Sequence, residues 1–202
     1  MAGFGRRARG PRRRAAEPDT DRDAETGAAA DPPADPVSAA RTVCLNLLTT
    51  RARTRSELAH ELGRREFADG VVEPVLDRLV EVGLLDDAAF AEQWVGSRHR
   101  HRGLGRRALA DELRRKGVDG ETAGVALDEL APEDERTKAR ELVDRRLPSL
   151  DRIEPAAAVR RLVGMLARKG YSGGMAYEVV REAVADRNAE TVPDAEPDDA
   201  VD

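Results

Sequence analysis

Apolar residues recur along this chain in a helical rhythm, and the rhythm itself recurs. Leu58 and Leu62 return as Leu109 and Leu113, 51 residues on, and again as Leu162 and Leu166, a further 53. The register continues through Phe67, Val118 and Tyr171, then Val75, Ala126 and Val179, then Leu76, Leu127 and Val180. Upstream, Val43 and Cys44 align with Trp94 and Val95, and these with Leu142 and Val143 only 48 residues later, so the third copy carries about five extra residues between its first two helices. Self-similarity at a fixed period marks a repeat array, in which each unit buries its apolar face against its neighbours and a long surface results. Such surfaces serve binding.

Start and stop signals divide each copy into three helices. In the first, Ser38 is placed to cap a helix carrying Val43, Leu47 and Leu48, and Thr54 with Glu57 has capping-box spacing ahead of Leu58 and Leu62. A third helix through Val75, Leu76 and Leu79 is expected to hold Pro74 in its first turn and to stop at Gly83. The second copy starts at Asp86 or Asp87, turns at Gly103 to Gly105, and ends its middle helix at Gly117. In the third, residues 138–147, 156–168 and 175–185 play the same parts, and Lys169-Gly170 repeats Lys116-Gly117 as a C-cap. The predicted fold is all-α, with three tandem three-helix repeats at 38–85, 86–131 and 132–186. They lie between an N-terminal extension, 1–37, and an acidic tail, 187–202.

Composition narrows the function classes. Aromatics are 3% of the chain, so the core must be aliphatic. No apolar run approaches the about 20 residues needed to cross a bilayer, which predicts a cytoplasmic protein without membrane contact. The one cysteine, Cys44, lies in an aliphatic stripe and reads as an inert buried thiol. The net charge of −5 is uneven: residues 186–202 hold seven acids and one base, whereas residues 1–38 hold seven of each. Residues 1–35 mix Gly, Pro, Ala and charge without periodicity and are expected to be disordered, as is the acidic tail. The first part of the extension holds six arginines, Arg6, Arg7, Arg9, Arg12, Arg13 and Arg14, which form either a phosphate-attracting arm or a solvated extension.

Three segments, Gly83-Leu84-Leu85-Asp86-Asp87-Ala88-Ala89-Phe90-Ala91, Arg98 to Gly103, and Glu112-Leu113-Arg114-Arg115-Lys116-Gly117-Val118, resemble the RecX family. The resemblance covers about Ala39 to Ala185 and is strongest across the first two repeats. It implies a regulator that binds the RecA recombinase and inhibits or modulates filament assembly, ATP hydrolysis and strand exchange in recombination, DNA repair and the SOS response. The implied shape is an elongated, curved helical array lying along the groove of the RecA nucleoprotein filament and bridging its subunits. It implies no catalytic residues and no cofactor.

The residues themselves point to a contact region. From Arg98 to Lys116 there are eight cations, Arg98, Arg100, Arg102, Arg106, Arg107, Arg114, Arg115 and Lys116, against Asp111 and Glu112. Arg107 and Arg114 stand two helical turns apart on one face, with Leu109 and Leu113 turned to the core. Such a stretch suits acidic surfaces of RecA or the DNA backbone. An ordinary solvated face accounts for the same density, since arginine outnumbers lysine 31 to 3. Two other readings stay open: a helical regulator that binds DNA directly, and a protein-only scaffold.

Catalytic alternatives find little support. His99 and His101 lack the four-residue spacing that puts two metal ligands on one helical face. Gly103-x-Gly105 follows no strand and precedes no Lys-Ser or Lys-Thr. Capping explains Asp86 and Asp87, and Trp94 reads as a core aromatic. The expectation is a monomer with no catalytic, cofactor or metal site.

Overall fold

The computed structural model describes residues 35–191, and the regular structure among them is helical. The first repeat holds α1 (Pro36–Thr50), α2 (Arg55–Gly63) and α3 (Asp69–Glu81). The second holds α4 (Asp87–Arg102), α5 (Arg106–Arg115) and α6 (Gly120–Asp128), and the third α7 (Pro132–Arg146), α8 (Pro155–Arg168) and α9 (Gly173–Thr191). The arginine-rich arm and residues 192–202 lie outside the described residues, whereas residues 187–191, expected in the disordered tail, continue α9.

Local chemistry sets these boundaries. Thr54 accepts the Glu57 amide at 3.1 Å, and Asp86 and Asp119 accept the amides of Ala89 and Thr122 at 2.9 Å each. Each middle helix ends in the same left-handed stop, with Phe67, Val118 and Tyr171 amides donating to the carbonyls of Leu62, Leu113 and Leu166. The left-handed residue is Glu66 in the first repeat, Gly117 in the second and Gly170 in the third.

Three expectations need correction. Ser38 does not cap α1: Asp35 does, accepting the Val37 amide at 3.2 Å, with Pro36 in the first turn. Pro74 is interior to α3, which begins five residues earlier at Asp69, where its acid favours the positive helix end. Likewise α7 starts at Pro132, six residues before Lys138, because Glu133, Asp134 and Glu135 favour that end of the dipole although the segment has no apolar rhythm. The extra residues of the third repeat fold into a 3-10 turn, Leu147–Leu150, whose two leucines are buried in that repeat's core.

Three separate cores hold the array. Leu58, Leu62, Val75, Leu76 and Leu79 pack with Cys44 in the first. Leu109, Leu113, Ala126 and Leu127 pack with Phe90 and Val95 in the second, and Leu162, Leu166, Val179 and Val180 with Val143 and Tyr171 in the third. In each repeat the third helix packs against both others, and helix packing is much thinner between repeats. What joins the repeats is therefore a question of hydrogen bonds rather than apolar burial.

The candidate binding face and the repeat junctions

The eight cations from Arg98 to Lys116 do not form one uniform surface. Arg98 and Lys116 fold inward over Trp94, the guanidinium carbon 4.1 Å and the ammonium 4.8 Å from the ring centroid. Trp94 stacks on Phe90 at 5.5 Å and donates its indole N–H to Glu112 at 2.8 Å. Arg98 Nε lies 3.2 Å from the same carboxylate, an ion-pair distance without hydrogen-bond alignment. Trp94 is thus half-buried, held at the margin of the core because its N–H needs an acceptor there.

Arg106 pairs with Asp128, as Arg55 pairs with Asp77 one repeat earlier. Both bind the middle helix to the third. The exposed cations are Arg100, Arg102, Arg107, Arg114 and Arg115. Of these, Arg114 pairs with Asp111 at 2.9 Å. The structure separates the predicted set accordingly: Arg98, Arg106 and Lys116 are held by intramolecular partners, and the other five face solvent.

Lys116 also reaches beyond its own repeat. Its ammonium donates to Glu57 of the first repeat at 2.6 Å, while its carbonyl accepts the Thr54 hydroxyl at 2.6 Å. Thr54 is fully buried at this point. Burial alone would raise the Glu57 carboxyl, but hydrogen bonds and charge from Arg51 and Lys116 outweigh it and hold the group below its usual range. Asp87 completes the joint by accepting the Arg55 amide at 2.9 Å, which leaves Asp86 alone as the α4 cap. Burial pushes the Asp87 carboxyl up, aided by the negative charges of Asp119 and Asp86.

The next joint repeats the plan. The Lys169 ammonium donates to the Arg102 carbonyl at 2.6 Å, and the carbonyls of Lys169 and Gly170 accept the amides of Gly105 and Arg107 at 2.8 and 3.1 Å. Buried Glu135 accepts the Arg106 amide at 2.8 Å, as Asp87 accepts that of Arg55. The phenol of Tyr171 donates to the Gly103 carbonyl at 3.2 Å, and burial with the charges of Glu135 and Glu141 pushes its pKa up. Buried His99 closes the turn with Nδ1 2.9 Å from the Leu104 carbonyl. Each lysine-glycine stop thus docks on the start of the preceding repeat's middle helix, which the C-cap reading of the sequence did not anticipate.

This arrangement of three-helix units is matched by family models for the first, second and third three-helix domains of RecX, at residues 40–79, 86–127 and 133–180. A regulatory protein RecX of Thermobifida fusca is 54% identical over 161 residues, 80% of this chain and 86% of the relative. The chain belongs to the RecX family. A regulatory protein RecX of Streptomyces coelicolor is 51% identical over the same shares. A crystal structure of RecX from Lactobacillus salivarius superposes with a TM-score of 0.71, covering 75% of this chain and 99% of that one at 21% identity, a likeness of fold. Among the described residues, no helix is long and apolar enough to cross a membrane.

Proposed function

We propose that this chain is a noncatalytic cytoplasmic regulator, acting as a monomer, that binds RecA or the RecA–DNA filament and modulates its assembly, ATP hydrolysis and strand exchange in recombination and repair. The observation that carries the reading is the division of the basic stretch within a RecX array. Five arginines face solvent while three cations brace the scaffold under them. In this reading Arg100, Arg102, Arg107, Arg114 and Arg115 contact the partner, and Arg98, Arg106 and Lys116 position them.

The purified protein is expected to lower RecA-driven ATP hydrolysis on single-stranded DNA in a titration, and a flat response across that titration rejects the reading. Replacing Arg107 and Arg114 together by Glu is expected to weaken co-sedimentation with preformed filaments at least tenfold, with melting nearly unchanged because both side chains are exposed. Undiminished co-sedimentation removes the pair from the contact.

A second reading, direct attachment to DNA, is favoured by the exposed cations Arg102, Arg107 and Arg115, for which no acidic partner lies within the described residues. Binding to duplex DNA in the absence of RecA, with the affinity that filament binding requires, separates it from the first.

A further inference from the structure

We infer that the cleft between the first two repeats is a phosphate seat for a nucleic-acid strand, gripped by Arg53 from one side and Arg115 from the other. The cleft is about 350 Å³ and is lined by Arg51, Arg53, Ser56 and His60 of the first repeat and by Arg115 and Lys116 of the second, with Glu57 and Glu61. Its charges resolve into two groups. Glu57 is engaged by Arg51 at 3.1 Å and by Lys116 at 2.6 Å, and Glu61 by Arg64 at 3.3 Å. Arg53 and Arg115 are left without an acidic partner among the described residues, and Arg53 Nε is buried with no hydrogen-bond acceptor. With Nε turned inward and no hydrogen bond made by its terminal nitrogens, the Arg53 guanidinium keeps donors for an arriving oxyanion.

The positions of the two arginines are fixed by the joint itself. Arg53 precedes Thr54 and Arg115 precedes Lys116, and those two neighbours share the part-buried 2.6 Å hydrogen bond that ties the repeats. The two side chains therefore spring from a rigid link, so binding has to order the arginine rotamers but not the backbone that carries them. Two forks from opposite walls suit a tetrahedral phosphate, which offers oxygens in several directions, better than a planar carboxylate that a single fork satisfies. The following joint has no such seat by the same logic: the position equivalent to Arg53 is Leu104, packed against the second core.

The seat does not depend on the recombinase reading, and its assay contains no recombinase, so either can fail alone. Fluorescence anisotropy of the full chain with a labelled oligothymidylate, followed across salt concentrations, tests it. Arg53→Gln with Arg115→Gln is expected to weaken binding about tenfold at low salt. It should also flatten the log–log salt slope by about 0.7, the release expected from one neutralised single-strand phosphate.

Arg160→Gln with Arg161→Gln, two exposed cations of α8, makes the same change in net charge elsewhere and is expected to leave the slope nearly intact. Arg115→Gln alone, at an exposed site, is expected to give about half the slope change and keeps the test decisive should Arg53 prove necessary for folding. An unchanged slope in the Arg53 and Arg115 variant, an equal loss in the α8 control, or absence of oligonucleotide binding by the native chain overturns the inference. A parallel arm with phosphatidylglycerol vesicles identifies the source of the phosphate. Loss toward vesicles with retained oligonucleotide binding gives the cleft to lipid headgroups and overturns the nucleic-acid seat.

Discussion

The two joints of this array perform one task with different atoms. At the first, a side chain makes the link: the Thr54 hydroxyl reaches the Lys116 carbonyl, and Glu57 receives the ammonium. At the second, backbone meets backbone: the Gly105 amide donates to Lys169, Arg107 to Gly170, and the lysine ammonium ends on a carbonyl. Gly105 stands where Thr54 stands one repeat earlier, and a Cβ there would lie 2.8 Å from the Tyr171 amide nitrogen. The glycine lets the third repeat approach more closely, and Tyr171 takes up the space. A joint of side chains is adjustable, whereas a joint of main chain tolerates almost no added volume.

The sharpest way to break this comparison is to add one methyl group to each stop. A Cβ at Gly170 would sit 2.3 Å from the Ala108 amide nitrogen, at a φ of +89° that L-residues resist. Gly170→Ala is expected to cost about 3–5 kcal/mol, strain and overpacking together. At Gly117, φ +74°, the added Cβ meets the Ser56 side chain, with Oγ at 2.2 Å and Cβ at 2.3 Å. Gly117→Ala should cost about 2–4 kcal/mol, and Ser56→Gly in the same chain should recover part of it. Denaturant melts decide: Ala108→Gly removes only the Cβ contact of 2.5 Å, so full recovery of Gly170→Ala by that change contradicts the main-chain account.

The first repeat supplies the control, since its stop makes only local hydrogen bonds among the described residues. Its stop carries Glu66 at φ +63°, exposed and undocked. The turn accepts a side chain there at the ordinary cost of positive φ, so the need for glycine at 117 and 170 comes from docking. Glu66→Gly is expected to be neutral or to stabilise by up to about 1 kcal/mol.

That distinction also marks how far the sequence could be read. The leucine periods, the caps at Thr54 and Asp86, and the stops at Gly83, Gly117 and Gly170 are local patterns, and the fold follows from them. The joints are not local. Glu57 matches a capping box, yet its carboxylate is spent on Arg51 and Lys116 rather than on its own helix start. Asp87 reads as a second cap beside Asp86 and instead serves Arg55, 32 residues away. Glu135 carries no local signal, lying in an acidic run that resembles a solvated helix start until α7 buries it. Charge density likewise does not separate exposed from paired cations, because the sequence cannot show that Arg98, Arg106 and Lys116 have intramolecular partners. Alignment of the repeats with one another held the missing signal, since Asp87 and Glu135 stand 48 residues apart, the spacing that relates the second and third first helices.

Removing the linking hydroxyls separates the joints next. Thr54→Val keeps the volume of a fully buried side chain but loses both the bond to Lys116 and the cap on Glu57, an expected cost of about 2–3 kcal/mol. Thr54→Ser should retain most of it. Tyr171→Phe removes a single 3.2 Å bond to Gly103 and leaves the backbone pairs in place, so about 1 kcal/mol is expected. A larger loss at Tyr171 than at Thr54 reverses the assignment of side-chain and main-chain joints.

The smallest effects distinguish the two carboxylates of the first joint by their pH dependence. Glu57 has its pKa lowered from 4.5, so its ionised form is favoured by folding. That stability is fully present above the unfolded value and is lost as pH falls through the lower folded one. Glu57→Gln is therefore expected to cost about 1 kcal/mol at neutral pH, and the difference from the native chain should close as pH falls from 4.5 through the folded value. Asp87 has its pKa raised from 3.8, so folding disfavours its charge and the sign inverts. Its contribution is greatest below the unfolded value and declines as pH rises through the folded one. Because an asparagine oxygen can still accept the Arg55 amide, Asp87→Asn should be neutral or slightly stabilising at neutral pH, with any gain shrinking on acidification. Melts of the two variants are expected to approach the native curve from opposite sides as pH falls, and parallel curves contradict the proposed electrostatics of the joint.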